Sequence, residues 1–124
     1  MKRKIITFVK PREVEIQSTS VPPMDANSVL TQTTVTSISR GTELNLYHGR
    51  TRVIRGVWYA WYPLVPGYEP VGRVLEVGEN VTHVQAGDRV VGSLVGDLDG
   101  YCCAWGGQAE YAVYSTASES GSGT

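Results

Sequence analysis

Short runs rich in β-branched residues, each closed off by Gly, Pro, Asn or Asp, recur along the whole chain. That punctuation restricts the fold more than any other feature, because it belongs to sandwiches and barrels rather than to alternating strand and helix. The spacing predicts strands over 3–9, 13–18, 28–38, 68–78, 88–95 and 108–115. The third run, "SVLTQTTVTSIS", sets Val29, Thr31, Thr33, Val35 and Ser37 against Leu30, Gln32, Thr34, Thr36 and Ile38. Neither face is cleanly apolar, so propensity supports this strand better than period does. One short helix fits, in "RGTELNLYHG", with Gly41 or Thr42 as its cap and Gly49 as its stop. The expected class is therefore mainly β, a sandwich or barrel with one short helix.

Two segments stand outside that pattern. "RTRVIRGVWYAWYPLVPG" is a long loop dense in aromatics. Trp58, Tyr59, Trp61 and Tyr62 read either as a lid on the core or as a contact surface, and both readings stay open. The last residues, 116–124, are Ser, Gly and Thr with one charge, which predicts a flexible tail after a domain over 1–115.

Composition narrows the partners. A chain of 124 residues with 41% hydrophobic content has the size of one domain and needs no staple to fold. Its net charge of −1 argues against nucleic acid and anionic membrane as partners. The basic cluster of Arg40, Arg50, Arg52 and Arg55 reads as a solvated loop. Cys102 and Cys103 are neighbours, too close for an unstrained disulfide, and no Cys-x-x-Cys pair or Cys/His cluster occurs. Free thiols and a cytoplasmic location are the expectation, and "IITFV" is too short for a signal or a span.

With the strands placed, three motifs line up in order: "SRGTEL" at 39–44, "YPLVPGYEPVGRVLEVGENVTHVQAGDRVVG" at 62–92 and "WGGQAEYAVY" at 105–114. Together they resemble the N-terminal GroES-like catalytic domain of the medium-chain dehydrogenase/reductase superfamily, the zinc-type alcohol dehydrogenase group, and that resemblance implies a mainly β fold, a GroES-like partly open β-barrel with one short helix. "SRGTE" with "YPLVPGYE" looks most like zinc-lacking members such as the bacteriochlorophyllide dehydrogenases. By that resemblance, zinc-dependent relatives carry Cys at Arg40, Thr or Ser at Thr42, Asp at Glu43, and Gly-His-Glu at Gly67, Tyr68 and Glu69. A guanidinium and a neutral phenol do not replace thiolate and imidazole on zinc. No metal ligand is therefore expected here, and neither His48 nor His83 supplies one. The resemblance implies instead that Arg40, Thr42, Tyr68 and Glu69 line a cleft as catalytic candidates, with Arg40 and Glu69 as a charge pair.

The same resemblance implies a Rossmann domain to hold NAD(P). No Gly-x-Gly-x-x-Gly stands between a strand and a helix in this sequence, and Gly121 and Gly123 lie in the Ser-rich tail. No cofactor site is expected in this chain. It reads as the substrate-side domain, excised or free-standing, of a zinc-independent NAD(P)-dependent oxidoreductase acting on a carbonyl or alcohol. The alternative is a non-enzymatic binding or assembly module, and a chaperonin cofactor fits less well, since "PGYE" and "GGQAEY" follow the reductases. In either case Trp58, Tyr59, Trp61 and Tyr62 are the expected interface of a two-fold homodimer.

Overall fold

The computed structural model describes residues 1–50, 60–92, 94–98 and 100–115. The first hairpin joins β1 (Lys2–Lys10) to β2 (Glu13–Ser20), with Ile6 opposite Ile16. β3 (Ser28–Ser37) runs into α1 (Arg40–Tyr47), and a two-residue strand, β4 (Leu64–Val65), precedes β5 (Tyr68–Val77). Then come β6 (Arg89–Val91), β7 (Leu94–Leu98), β8 (Tyr101–Trp105) and β9 (Tyr111–Ser115). They form two sheets, ordered β2-β1-β4-β8-β7 and β6-β5-β3-β9. The segment 107–110 stitches the sheets together: Ile6 N–H donates to the Gln108 carbonyl, Glu110 N–H to that of Lys4, and Thr33 N–H to that of Glu110. Among the described residues the result is a mainly β, partly open barrel with one helix: the punctuation of the sequence predicts the β class, and the resemblance implies the barrel.

Several boundaries differ from expectation. The run 88–95 is two strands, β6 and β7, and β7 turns back into β8 as a hairpin through Gly100 at φ +82°. β4 went unforeseen because two residues carry no period. The last strand starts at Tyr111 rather than 108, since Ala109 makes only a single bridge to Ile5. The helix is capped by Ser39, not by Gly41 or Thr42; its N–H donates to the Glu43 carboxylate at 2.7 Å. Gly49 ends it as expected, at φ +86° with its N–H on the Leu46 carbonyl. The mixed faces of β3 are explained by position: it lies between β5 and β9, and Ser28–Thr31 is covered on both sides while the second half is largely exposed.

Among the described residues, three apolar clusters hold the frame. Phe8, Leu46, Leu64, Cys102 and Ala104 lie where α1 meets the five-stranded sheet, and Tyr47 and Tyr62 pack against them. Ile5, Val65 and Ala109 fill the seam between sheets. Val29, Val74 and Val81 sit under the four-stranded sheet. Thr7, fully buried, donates its hydroxyl to the Leu64 carbonyl at 2.9 Å, which ties β1 to β4 without an unmet polar atom. Neighbouring side chains on a strand point to opposite faces, so Cys102 joins the first cluster while Cys103 faces Arg3 and Tyr114. Both thiols are buried and form no disulfide.

The Tyr114 ring covers Gly92, where an added Cβ would come within 2.6 Å of it. Burial pushes its hydroxyl up to about 12, against an opposing pull from Arg3. The unfolded phenol ionises near pH 10, so from there to about pH 12 the unfolded chain loses a proton that the folded chain keeps. This contribution to stability is complete below pH 10 and falls by up to about 2–3 kcal/mol as pH rises through 12. Urea midpoints measured across that window are expected to drop, and Tyr114→Phe to flatten the alkaline limb; identical limbs in the two proteins would refute it.

Candidate active-site cleft

The end of β3, the first turn of α1 and the start of β5 meet at one corner because Ser37 is registered opposite Tyr68. Two hydroxyl contacts form there. Tyr68 Oη donates to Thr42 Oγ1 at 3.2 Å, and Ser37 Oγ donates to Glu69 Oε1 at 3.4 Å. Ser37, Ile38, Ser39, Tyr68 and Glu69 line an open recess of about 350 Å³. Tyr68 faces this recess and Thr42 stands behind it. Glu69 adopts φ +44°, the left-handed region that side chains other than glycine rarely occupy, and such strain concentrates at functional sites.

Of the four catalytic candidates, the structure brings three to this corner and sets the fourth apart. Arg40 lines a neighbouring recess with Phe8, Ile38, Glu43, Leu44 and Tyr47. It forms no ion pair with Glu69, and the ion pair seen among the described residues is Lys10–Glu13 at 3.1 Å. The charge-pair expectation is corrected for a geometric reason: Arg40 opens the helix, beyond Ile38, while Glu69 stays with the strand. Glu43, inside the first turn, is raised above its ordinary pKa by burial, and its bond from the Ser39 N–H opposes that shift. Ser37 escaped sequence reasoning because only the β3–β5 register makes it Glu69's partner.

The donor chemistry of this corner does not fit a catalytic zinc. Guanidinium offers no lone pair, the phenol of Tyr68 is engaged with Thr42, and among the described residues no three His, Cys, Asp or Glu come together as a metal-binding group. A nicotinamide cofactor likewise finds no glycine-rich strand-to-helix turn in this sequence. No helix among the described residues is long and apolar enough to cross a membrane.

Of the expected interface, Trp61 is 37% exposed, whereas Tyr62 is half-buried, packs on the Leu46–Leu64 cluster and donates its hydroxyl to the Leu46 carbonyl. Burial raises the Tyr62 pKa, with Cys102 adding to the shift. Trp58 and Tyr59 lie outside the described residues, as does the tail 116–124.

Known proteins share both sequence and fold with this chain. It is 32% identical over 84 residues to D-arabinitol dehydrogenase 1 of Uromyces fabae, covering 68% of this chain and 22% of that protein. It is 29% identical over 116 residues to an alcohol dehydrogenase of Cupriavidus necator, covering 93% and 30%. The structure of the alcohol dehydrogenase TADH from Thermus sp. ATN1 superposes with a TM-score of 0.68 at 26% identity, over 90% of this chain and 37% of that one. The chain thus spans less than a third of the length of these two curated relatives. The family model described as the alcohol dehydrogenase GroES-like domain matches residues 13–120, and with the barrel and the three motifs in agreement, the chain belongs to that family, the N-terminal domain of the medium-chain dehydrogenase/reductase superfamily.

Proposed function

We propose that this domain is the substrate-side half of an NAD(P)-dependent oxidoreductase that acts on a carbonyl or alcohol without a catalytic zinc. The observation that supports it is the hydrogen bond from Tyr68, which lines the open recess, to the Thr42 hydroxyl behind it. In such enzymes the nicotinamide supplies the hydride chemistry; this chain's part is to seat the substrate oxygen and handle the proton. Both hydroxyls rotate, so Thr42 can turn its O–H toward Tyr68 Oη while Tyr68 donates to a substrate oxygen in the recess. As that oxygen gains negative charge during reduction, the Tyr68 proton passes to it. The phenolate left behind accepts from Thr42 and regains a proton from solvent through the open recess. Glu69, held by Ser37, sits at the rim as a carboxylate that orients the substrate.

In an oxidoreductase carrying this domain, Tyr68→Phe is expected to lower kcat by roughly tenfold to a hundredfold with KM within about twofold, because proton transfer is lost and binding is not. Steady-state kinetics with and without a chelator form the test. An unchanged kcat refutes the role of Tyr68, and activity abolished by the chelator refutes the zinc-free reading.

A second reading, a binding module that self-associates through the aromatic segment 57–62, is favoured by the exposure of Trp61. Trp61→Ser is then expected to weaken a homodimer and leave the fold intact. Sedimentation at several concentrations decides this, and a parent that is monomeric throughout removes the second reading.

A further inference from the structure

Ile38 stands between two recesses. On one side lie Tyr68 and Glu69; on the other is an open recess of about 470 Å³ lined by Phe8, Ile38, Leu44 and Tyr47 together with Arg40 and Glu43. The Phe8 and Tyr47 rings meet edge to face at 5.8 Å, and both residues line it. Ile38 and Leu44 leave 72% and 49% of their surface exposed, an unusual amount of aliphatic area to hold against water around one pocket. The two charged residues at its edge are not equivalent. The Glu43 carboxylate is turned toward the helix start, where Oε2 accepts from the Ser39 N–H. Arg40 lines the hollow, is exposed and has no hydrogen-bond or ion-pair partner among the described residues, so its planar fork of donors is available to a ligand seated there.

We propose that this second recess binds the apolar body of a carboxylate-bearing compound, with Arg40 gripping the carboxylate. Substrates of the Tyr68 site are then amphipathic acids whose carbonyl or alcohol carbon lies across Ile38 from the acid group. The substrate class rests on the oxidoreductase reading above; the binding site itself does not. Charge complementarity selects the occupant. An apolar hollow alone would accept any hydrophobe, but a guanidinium beside it favours a ligand that brings a carboxylate, through paired charge-assisted hydrogen bonds that a neutral amide cannot match.

The test uses phenylbutyrate and its neutral amide, phenylbutanamide, titrated into the 124-residue chain and followed by backbone amide NMR. Shifts are expected at residues 38–47, with the carboxylate binding at least about fivefold more tightly than the amide. Arg40→Gln is expected to bring the two ligands to equal affinity without disturbing the spectrum elsewhere, because Arg40 is exposed. Leu44→Ser is expected to weaken both ligands by a similar factor. Equal affinities in the parent, a preference that survives Arg40→Gln, or shifts confined to other residues would each overturn the proposal. So would no shift at all, the result expected if a second copy or another protein surface covers Ile38 and Leu44. Because the readout is binding, the two readings fail separately. Arg40-dependent binding beside an unaffected kcat in Tyr68→Phe would remove the oxidoreductase role of Tyr68 and leave the acid site standing.

Discussion

Gly67→Ala is expected to destabilise the domain by about 3–5 kcal/mol, a large share of the roughly 5–15 kcal/mol that holds a domain together. Two independent penalties coincide at this residue. Its φ of +115° lies where side chains with a Cβ rarely go. A Cβ built there would also stand 2.8 Å from the Gln108 nitrogen and 3.0 Å from the Gly107 carbonyl carbon. Both are backbone atoms, so no rotamer relieves the contact. The same crossing is closed by two hydrogen bonds of 3.0 Å, from Gly107 N–H to the Gly67 carbonyl and from Gln108 N–H to that of Pro66. Pushing these strands apart moves the start of β5, and with it Tyr68. Chemical denaturation of parent and variant measures the effect. Gly41→Ala is the control: no heavy atom lies within 4 Å of its added Cβ, and a helical alanine should be neutral or stabilising by up to about 1 kcal/mol. Equal midpoints for parent and Gly67→Ala would show that the crossing is loose.

Leu64→Ala should cost about 3–4 kcal/mol. Leu64 is fully buried on a strand only two residues long, yet that strand joins β1 to β8 and so carries the continuity of the five-stranded sheet. Its side chain packs in the cluster of Phe8, Leu46 and Cys102, and its carbonyl receives the Thr7 hydroxyl. Truncation therefore leaves a cavity between sheet and helix, which the flanking strands, pinned by hydrogen bonds, cannot fully close. Leu64→Met keeps the volume and is expected to cost under about 1.5 kcal/mol. Denaturation midpoints check both, and a loss below about 1 kcal/mol for the alanine variant would mean that this cluster collapses freely.

Strand content was readable from local chemistry. β1, β2, β3 and β5 fall close to their expected bounds because β-branched runs closed by Gly, Pro or Asn act over a few residues. The β7–β8 hairpin was not among the expected strands; its local trace is Asp99-Gly100, a pair that favours the tight hairpin turn, hidden among the glycines of "LVGDLDGYCCAW". β4 left no such trace. Its strand identity comes from Phe8 on one side and Cys102 on the other, partners about 56 and 38 residues away.

The site divides along the same line. Sequence by itself determined which side chains stand at positions 40 and 68, an arginine and a tyrosine, whose chemistry is a property of the side chain and needs no fold to be known. Only the tertiary structure decided which of them meet. The pairing of β3 with β5 shifts between Thr33 and Val35 and again between Val35 and Ser37. Those irregularities set Ser37 beside Glu69 and Thr42 behind Tyr68, and they leave Arg40 across Ile38 in a recess of its own. Each one-residue slip in register turns side chains to the opposite face, and the outcome depends on contacts between segments some 30 residues apart, which no local window contains.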